Sequence, residues 1–227
     1  MDRKRFFYET IAERFDELHN EYDINRRLSV IFDELLTIDM SGLRVLDLGC
    51  GSGWFSLQAG KRGGKVFSLD ISQSLAKITK ERTSQNSLAA DAAALPFQAN
   101  QFDIVISSEM LEHLIEPERS IEEISRVLTP GGLVALTTPN RKWLWLVKLA
   151  STFRLRPYEG YENFLSFKDV ANFIDMHGLR IICHYGFHPW PFQLSVLHRV
   201  SRYVDGKFSR SRWGKWMINQ AVLAEKL

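Results

Sequence analysis

The sequence predicts a doubly wound α/β domain carried by seven strands. Three observations point there. Short apolar runs alternate with amphipathic segments along most of the chain. The first apolar run, 44–48, leads straight into Gly49-x-Gly51-x-Gly53, a turn that needs backbone without side chains. The second run ends on Asp70, 23 residues beyond Asp47. Strand, glycine turn and helix make the first half of a nucleotide-binding βαβ unit.

The elements follow in order. Residues 3–18 place Phe6, Phe7, Ile11, Phe15 and Leu18 near one helical face. A second amphipathic segment, about 25–36, follows a polar break at 19–21. These two helices are too short to hold a core alone and read as an N-terminal cap. Strand one is 44–48, followed at once by a helical segment. Strand two is 65–70, set off by Gly63-Gly64. A helix over 74–85 takes Ser72 as its N-cap. Strand three is short, near 87–90, and strand four is 102–107. A helix over 117–128 is closed by Thr129-Pro130-Gly131-Gly132. Strand five is 133–138, stopped by Pro139. A helix over 168–177 ends at Gly178, and strand six is 179–184. The last strand lies near 219–224. The early crossovers are long enough for parallel pairing.

The 227 residues, 45% of them hydrophobic, suit one domain with a sizeable core: a cap over 1–40, and insertions at about 140–165 and 187–216. Cys50 and Cys183 lie in no metal-type spacing and form no disulfide framework, which fits a reducing cytosol. The N-terminus shows charges without the apolar core of a secretion signal. The longest apolar run, 143–147, has five residues, too few to cross a bilayer. A cytoplasmic location is the expectation.

The glycine spacing departs from GxGxxG, and no GxxxxGK[ST] loop is present to hold a nucleoside triphosphate. The backbone at the turn can still approach a ligand closely. Asp47 is an acid inside a buried strand, costly unless paired or used. A cationic or NH-rich ligand would use it; otherwise it bonds to backbone. Asp70, at a strand end about 20 residues past the turn, can accept both hydroxyls of a ribose. Asp91 follows strand three and either reaches an adenine amino group or caps its own turn.

The ordered set VLDLGCGSG, SLDIS, AADAAALPF, FDIVISSEMLEHL and LTPGGLVALTTPN resembles the class I S-adenosylmethionine-dependent methyltransferases, within them the ubiquinone and menaquinone biosynthesis type. The likeness is strong over about 40–140, and FYETIAERFD is similar to that group's substrate-side cap. The resemblance implies a mostly parallel seven-stranded Rossmann-like sheet with its last strand antiparallel, one S-adenosylmethionine, and methyl transfer. By position it implies Gly49, Gly51 and Gly53 under the methionine part, Asp70 on the ribose, Ile71 on the adenine face, and Asp91 with Ala92 at the adenine edge. It sets Asp47 near the amino group.

Ser108-Glu109-Met110-Leu111-Glu112-His113 follows strand four at the ligand edge of such a sheet. In-line methyl transfer needs proximity and orientation, and an oxygen or nitrogen nucleophile also needs a base. His113 is the candidate base, with Glu109 beside it. The E-x-x-E-H pattern of Glu109, Glu112 and His113 is similar to that of quinol O-methyltransferases associated with a divalent ion. Such an ion would lower the pKa of a phenol hydroxyl. The alternative sets Glu109 on the cofactor and leaves Glu112 and His113 to cap the next helix.

Residues 141–156 carry a net +5 and residues 190–217 another +5, so the remainder carries −8 against a total of +2. Five of the six tryptophans fall in those two segments. Insertions on the ligand edge build substrate pockets. Tryptophan with arginine and lysine suits a hydrophobic or lipid-linked acceptor, or peripheral contact with a membrane. Core tryptophans beside a solvated basic face are the plain alternative. Tyr158, Tyr161 and Phe164 read as a lid, and Tyr8 and Arg27 as residues that help close the site. The leading expectation is methylation of a small hydrophobic or lipid-linked acceptor, O-methylation first. RNA methylation and a non-catalytic cofactor-binding scaffold are the alternatives. The acidic remainder and the lack of an RNA-binding module argue against nucleic acid.

Overall fold

The structure is a computed structural model that describes residues 2–152, 162–191 and 195–227. Its centre is one seven-stranded sheet in the order β3-β2-β1-β4-β5-β7-β6. The strands are β1 Arg44–Leu48, β2 Lys65–Asp70, β3 Asn86–Ala89, β4 Phe102–Ser108, β5 Leu128–Pro139, β6 Leu179–Phe187 and β7 Asn219–Lys226. Strands β1 to β5 pair in parallel, and β7 runs antiparallel between β5 and β6. The chain steps outward from β1 to β2 and β3, then returns to place β4 on the other side. That reversal opens a crevice at the carboxyl ends of β1 and β4, where ligands of open α/β sheets bind.

Strand alternation divides the core between two faces. Leu46 and Leu48 face Phe102, Ile121, Ile124 and Ile174, under α5 Pro117–Val127 and α7 Phe167–Met176. Val45, Ile104 and Ile106 face Phe55 of α3 Trp54–Lys61. Helix α4 Gln73–Thr83 starts on the predicted Ser72 cap, which accepts from the Leu75 amide at 3.1 Å. Helix α7 opens on a reciprocal capping box between Ser166 and Asp169.

The N-terminal cap serves two places. Helix α1 Asp2–Ile11 runs on through two 3-10 turns to Leu18. Helix α2 Glu21–Ser29 then begins four residues earlier than the sequence pattern suggests. Asn20 explains the early start, because its side chain accepts from the Asp23 amide at 3.3 Å. A π-helical stretch, Val30–Leu35, continues it and buries Val30, Ile31, Phe32 and Leu35 on the sheet. The second half of the cap is thus a layer of the core.

Strand β5 starts five residues before its predicted position. The Thr129–Gly132 segment ends α5 as expected, yet Leu128 already pairs with Phe102. The register shifts between Phe102 and Ile104, and Gly131 takes φ +77 to absorb it. Strand β6 extends to Phe187 because β7 pairs with it throughout, from Leu179↔Lys226 to Phe187↔Asn219. Pro139 also pairs with Asn219, so both insertions leave the sheet at its ligand edge. They contain α6 Leu144–Thr152 and α8 His198–Phe208. No described helix is long and apolar enough to cross a membrane.

Candidate active site

The glycine turn leaves β1 with φ of +77, +52 and +89 at Gly49, Gly51 and Gly53. Left-handed backbone of this kind favours glycine. The Gly49 and Cys50 amides both donate to the Leu69 carbonyl, at 2.8 and 3.0 Å. Asp70 fixes the turn further, accepting from the Gly51 amide at 2.9 Å and the Ser72 amide at 3.0 Å. Close packing adds a second reason for two of the glycines. A methyl at Gly49 would stand 2.5 Å from Met110, and one at Gly53 would stand 2.9 Å from Thr79.

Asp47 is committed to contacts within the fold. Alternation along β1 turns it, like Val45, toward α3. Its carboxyl accepts from the Ser56 hydroxyl at 2.5 Å, and Ser56 meets Ser68 at 2.7 Å. Burial pushes the Asp47 carboxyl up to about 7 despite those hydrogen bonds. It is an internal group of the βαβ unit, buried and hydrogen-bonded to the start of α3. Ile71, half-buried, follows Asp70 directly, and β3 brings Ala89 opposite Asp70. Asp91 therefore stands two residues past that level, where its carboxylate accepts from the Ala93 amide at 3.0 Å. Ala92 is buried in the core beside Leu95.

The first part of the cap lies over this turn. Asp16 binds the Ser52 hydroxyl, the Trp54 indole NH at 3.2 Å and the Arg82 guanidinium at 2.6 Å. Arg82 also donates to the Ser52 carbonyl at 2.7 Å and sits over the Trp54 ring. Partial burial would raise the Asp16 carboxyl, but Arg82 and Ser52 outweigh it and hold it below its ordinary value. Glu9 accepts from the Gln73 and Ser74 amides at 2.5 and 3.2 Å, capping the start of α4. The sequence patterns singled out neither acid; both lie within the FYETIAERFD stretch.

The other side of the crevice is built by the ends of β4, β5 and β7. Glu109 follows β4 in a left-handed conformation, φ +53, uncommon for a residue with a side chain. Its Oε2 accepts from the Asn219 amide group at 2.8 Å. Its buried Oε1 has no hydrogen-bond partner among the described residues. Burial raises this carboxyl to about 7; Arg27 opposes the rise and Asp23 adds to it. Arg27 is itself buried, paired with Asp23 at 2.9 Å and 3.4 Å from the Ser108 hydroxyl. Asp23 also meets the His188 ring at 3.1 Å. Burial would raise Asp23, yet Arg27 and His188 hold its carboxyl low.

Glu112 is buried too, accepting from Thr138 at 3.2 Å. Burial, then the neighbouring Glu109, drives its carboxyl well above the ordinary range. It does not cap the following helix, whose N-cap is Glu116. His113 lies 3.7 Å from Glu112 and edge-on to the Tyr8 ring at 5.9 Å. Tyr8 and Arg27, predicted to help close the site, therefore both reach this side. Asp23, His188 and Asn219 carried no motif; only tertiary packing brings them here. Tyr158 and Tyr161 lie outside the described residues. Among the described residues, no three His, Cys, Asp or Glu side chains converge as metal ligands.

Residues 46–136 match the methyltransferase domain model. The chain is 30% identical over 167 residues to the ubiquinone biosynthesis O-methyltransferase of Coxiella burnetii, covering 69% of this chain and 71% of that protein. The chain belongs to the S-adenosylmethionine-dependent methyltransferases. The demethylmenaquinone methyltransferase of Clavibacter sepedonicus is 32% identical over 138 residues, 56% of each protein. An S-adenosylmethionine-dependent methyltransferase from Mesorhizobium loti shares the fold, with a TM-score of 0.68 at 20% identity over 88% of this chain and 96% of that one.

The residues at the turn fit the cofactor of this family. The Asp70 carboxylate, which the resemblance sets on the ribose, is held by the Gly51 and Ser72 amides, and half-buried Ile71 follows it. The left-handed glycine backbone can approach a methionine moiety closely. When bound, S-adenosylmethionine supplies a methyl group activated by its sulfonium. Everything else at the site must orient the acceptor, exclude water and manage one proton.

Proposed function

We propose that this methyltransferase methylates a hydroxyl oxygen of a small hydrophobic or lipid-linked acceptor, with Glu109 receiving the proton. One observation carries the reading: a buried carboxyl oxygen, Glu109 Oε1, without a hydrogen-bond partner among the described residues, stands at the carboxyl end of β4 beside the glycine turn. A buried acceptor of this kind costs free energy unless a ligand proton meets it. A carboxyl near 7 is matched to taking a proton at neutral pH. As the new O–C bond forms and the methyl–sulfur bond breaks, the hydroxyl proton passes to Glu109. Asn219 holds the other carboxylate oxygen in place, and Arg27 favours the ionised form. His113 and Tyr8 flank the acceptor side. The ubiquinone and menaquinone enzymes among the relatives support a quinol-like acceptor.

The test is transfer of labelled methyl groups to a prenylated catechol, a water-soluble catechol and RNA. Prenylated catechol should be methylated best. Glu109→Gln should lower kcat by roughly 10²- to 10⁴-fold, the usual span for a general base. Methylation confined to RNA, or cofactor binding without turnover, would overturn the reading.

A further inference from the structure

The described parts of the two insertions form one continuous surface. The Asn140 side chain ties it to the sheet edge, donating to the Lys215 and Met217 carbonyls at 3.1 and 3.0 Å. The Trp143 indole donates to the Trp216 carbonyl at 2.9 Å, and the Lys142 ammonium sits 3.5 Å over the Trp216 ring. These contacts fasten the start of α6 to the turn before β7. A groove lined by Pro189, Val204, Phe208, Trp213, Trp216 and Met217 then joins that turn to α8.

The apolar side chains on this surface point outward. On α6, Trp145 and Leu149 stand one turn apart and are both exposed. On α8, Ser201 and Asp205 are the buried positions, and Asp205 is held by Arg26 at 3.0 Å. The opposite side carries Val200 and Tyr203, exposed by 48 and 67%, and Val196 in the 3-10 turn just before the helix is exposed by 87%. Helical spacing sets Val200 and Tyr203 on one face. Polar residues therefore face the protein while apolar ones face out, the reverse of an ordinary surface helix. Between the helices, Trp213 and Trp216 are exposed by 57 and 61%. Basic residues interleave throughout: Lys142, Arg199, Lys207, Arg212 and Lys215.

We propose that this face docks on an anionic lipid bilayer, with the tryptophans at the headgroup level and the aliphatic stripes just below it. Exposed tryptophan and tyrosine suit that interface, and a helix with an apolar stripe flanked by arginine and lysine lies in its plane. The interleaved lysines favour lipid over a protein partner, because the core of a protein interface is depleted of lysine. Exposed Val196, Val200 and Leu149 favour lipid over nucleic acid, since aliphatic side chains neither stack on bases nor neutralise phosphate. Charge supports the orientation: the two insertions, 140–165 and 187–216, carry a net +8 and the rest of the chain −6, so an anionic surface attracts the insertions and repels the remainder. The face leaves the sheet at Pro139 and Asn219, and Asn219 holds Glu109. Docking would therefore bring the acceptor side of the crevice next to the bilayer. The docking proposal does not depend on which acceptor is methylated.

Co-sedimentation of the full chain with phosphatidylcholine vesicles, with and without phosphatidylglycerol, tests it without cofactor or acceptor. Binding is expected only to the phosphatidylglycerol vesicles, with tryptophan emission shifted to the blue. Raising the salt severalfold should weaken it by roughly tenfold. The double variant Trp145→Ser with Trp213→Ser should bind at least about tenfold more weakly. Its melting temperature and S-adenosylhomocysteine affinity should match the parent, showing that the fold is intact. A variant that loses its fold is replaced by Arg199→Gln with Lys207→Gln, for which the same loss of vesicle binding is expected. Three results would overturn the proposal: no binding to anionic vesicles, equal binding by the folded variants, or capture of an oligonucleotide instead of vesicles.

Discussion

The ring of Phe15 lies directly on the α-carbon of Gly51, so that a methyl added there would come within 2.7 Å of it. A residue of the N-terminal segment thus occupies the space beside the turn expected to hold the methionine part of the cofactor. The next residue, Asp16, fastens that segment to Ser52, Trp54 and Arg82. The geometry couples entry at the turn to the position of the N-terminal segment. Asp16→Asn removes the charge from this fastening and should speed dissociation of S-adenosylhomocysteine. The groups are partly exposed, so the loss should be near 1 kcal/mol, or roughly three- to tenfold in affinity. Stopped-flow displacement decides it, and an unchanged off-rate would count against the coupling.

Asp70 has two duties that substitution can separate. It fixes the Gly51 and Ser72 amides, and it is the residue expected on the ribose. Asp70→Asn retains one acceptor oxygen of two, so one amide loses its partner. Asp70→Ala should abolish cofactor binding measured by calorimetry and lower stability by about 1–3 kcal/mol for the amides left unsatisfied. Stability lost with affinity retained would confine Asp70 to a structural role.

Asp47 makes a prediction about stability against pH. Its carboxyl is near 7 in the folded chain, against an ordinary 3.8. The folded state therefore holds a proton that the unfolded state releases. That contribution is complete below pH 3.8 and is lost as pH rises toward 7. Asp47→Asn cannot titrate and keeps an acceptor for Ser56. Its melting temperature relative to the parent should rise between pH 5 and pH 8 and then level off. A constant difference across that range would contradict the raised carboxyl.

The same residue shows where sequence reading stops. Strand periodicity, the glycine turn and the 23-residue spacing to Asp70 sufficed to place β1, β2 and the turn between β1 and α3. All three are local patterns. The spacing did not say which way Asp47 points, because that depends on Ser56 and Ser68 on neighbouring elements. Asp23, His188 and Asn219 were invisible for a similar reason. They lie far apart in sequence and meet only because the end of β6 and the start of β7 reach the same sheet edge as the end of β4. The tryptophans posed a third kind of problem. Composition identified them, but burial decides between core and surface, and Trp145, Trp213 and Trp216 are exposed.

Two substitutions with opposite effects, read beside a third at His113, would identify the group that titrates during turnover. Arg27 favours the ionised form of Glu109, whereas Asp23 opposes it. Removing the guanidinium, as in Arg27→Met, should move the acidic limb of the kcat/KM profile above its position near pH 7. Asp23→Asn should move it downward, because Arg27 then has no carboxylate partner nearer than Glu109. Of the remaining neighbours, Thr137 and Asn219 are uncharged, and Glu112 is the same in both variants, so none of them reverses either sign. Both variants break a buried pair and should cost roughly 3–5 kcal/mol of stability, so profiles are best taken well below the melting temperature. A limb set by His113 would shift with the same signs, because a lost cation raises and a lost anion lowers the pKa of any group nearby. His113→Gln separates the two. Opposed shifts in the first two variants, with the limb kept in His113→Gln, assign the proton to Glu109; a limb lost in His113→Gln removes it from that role.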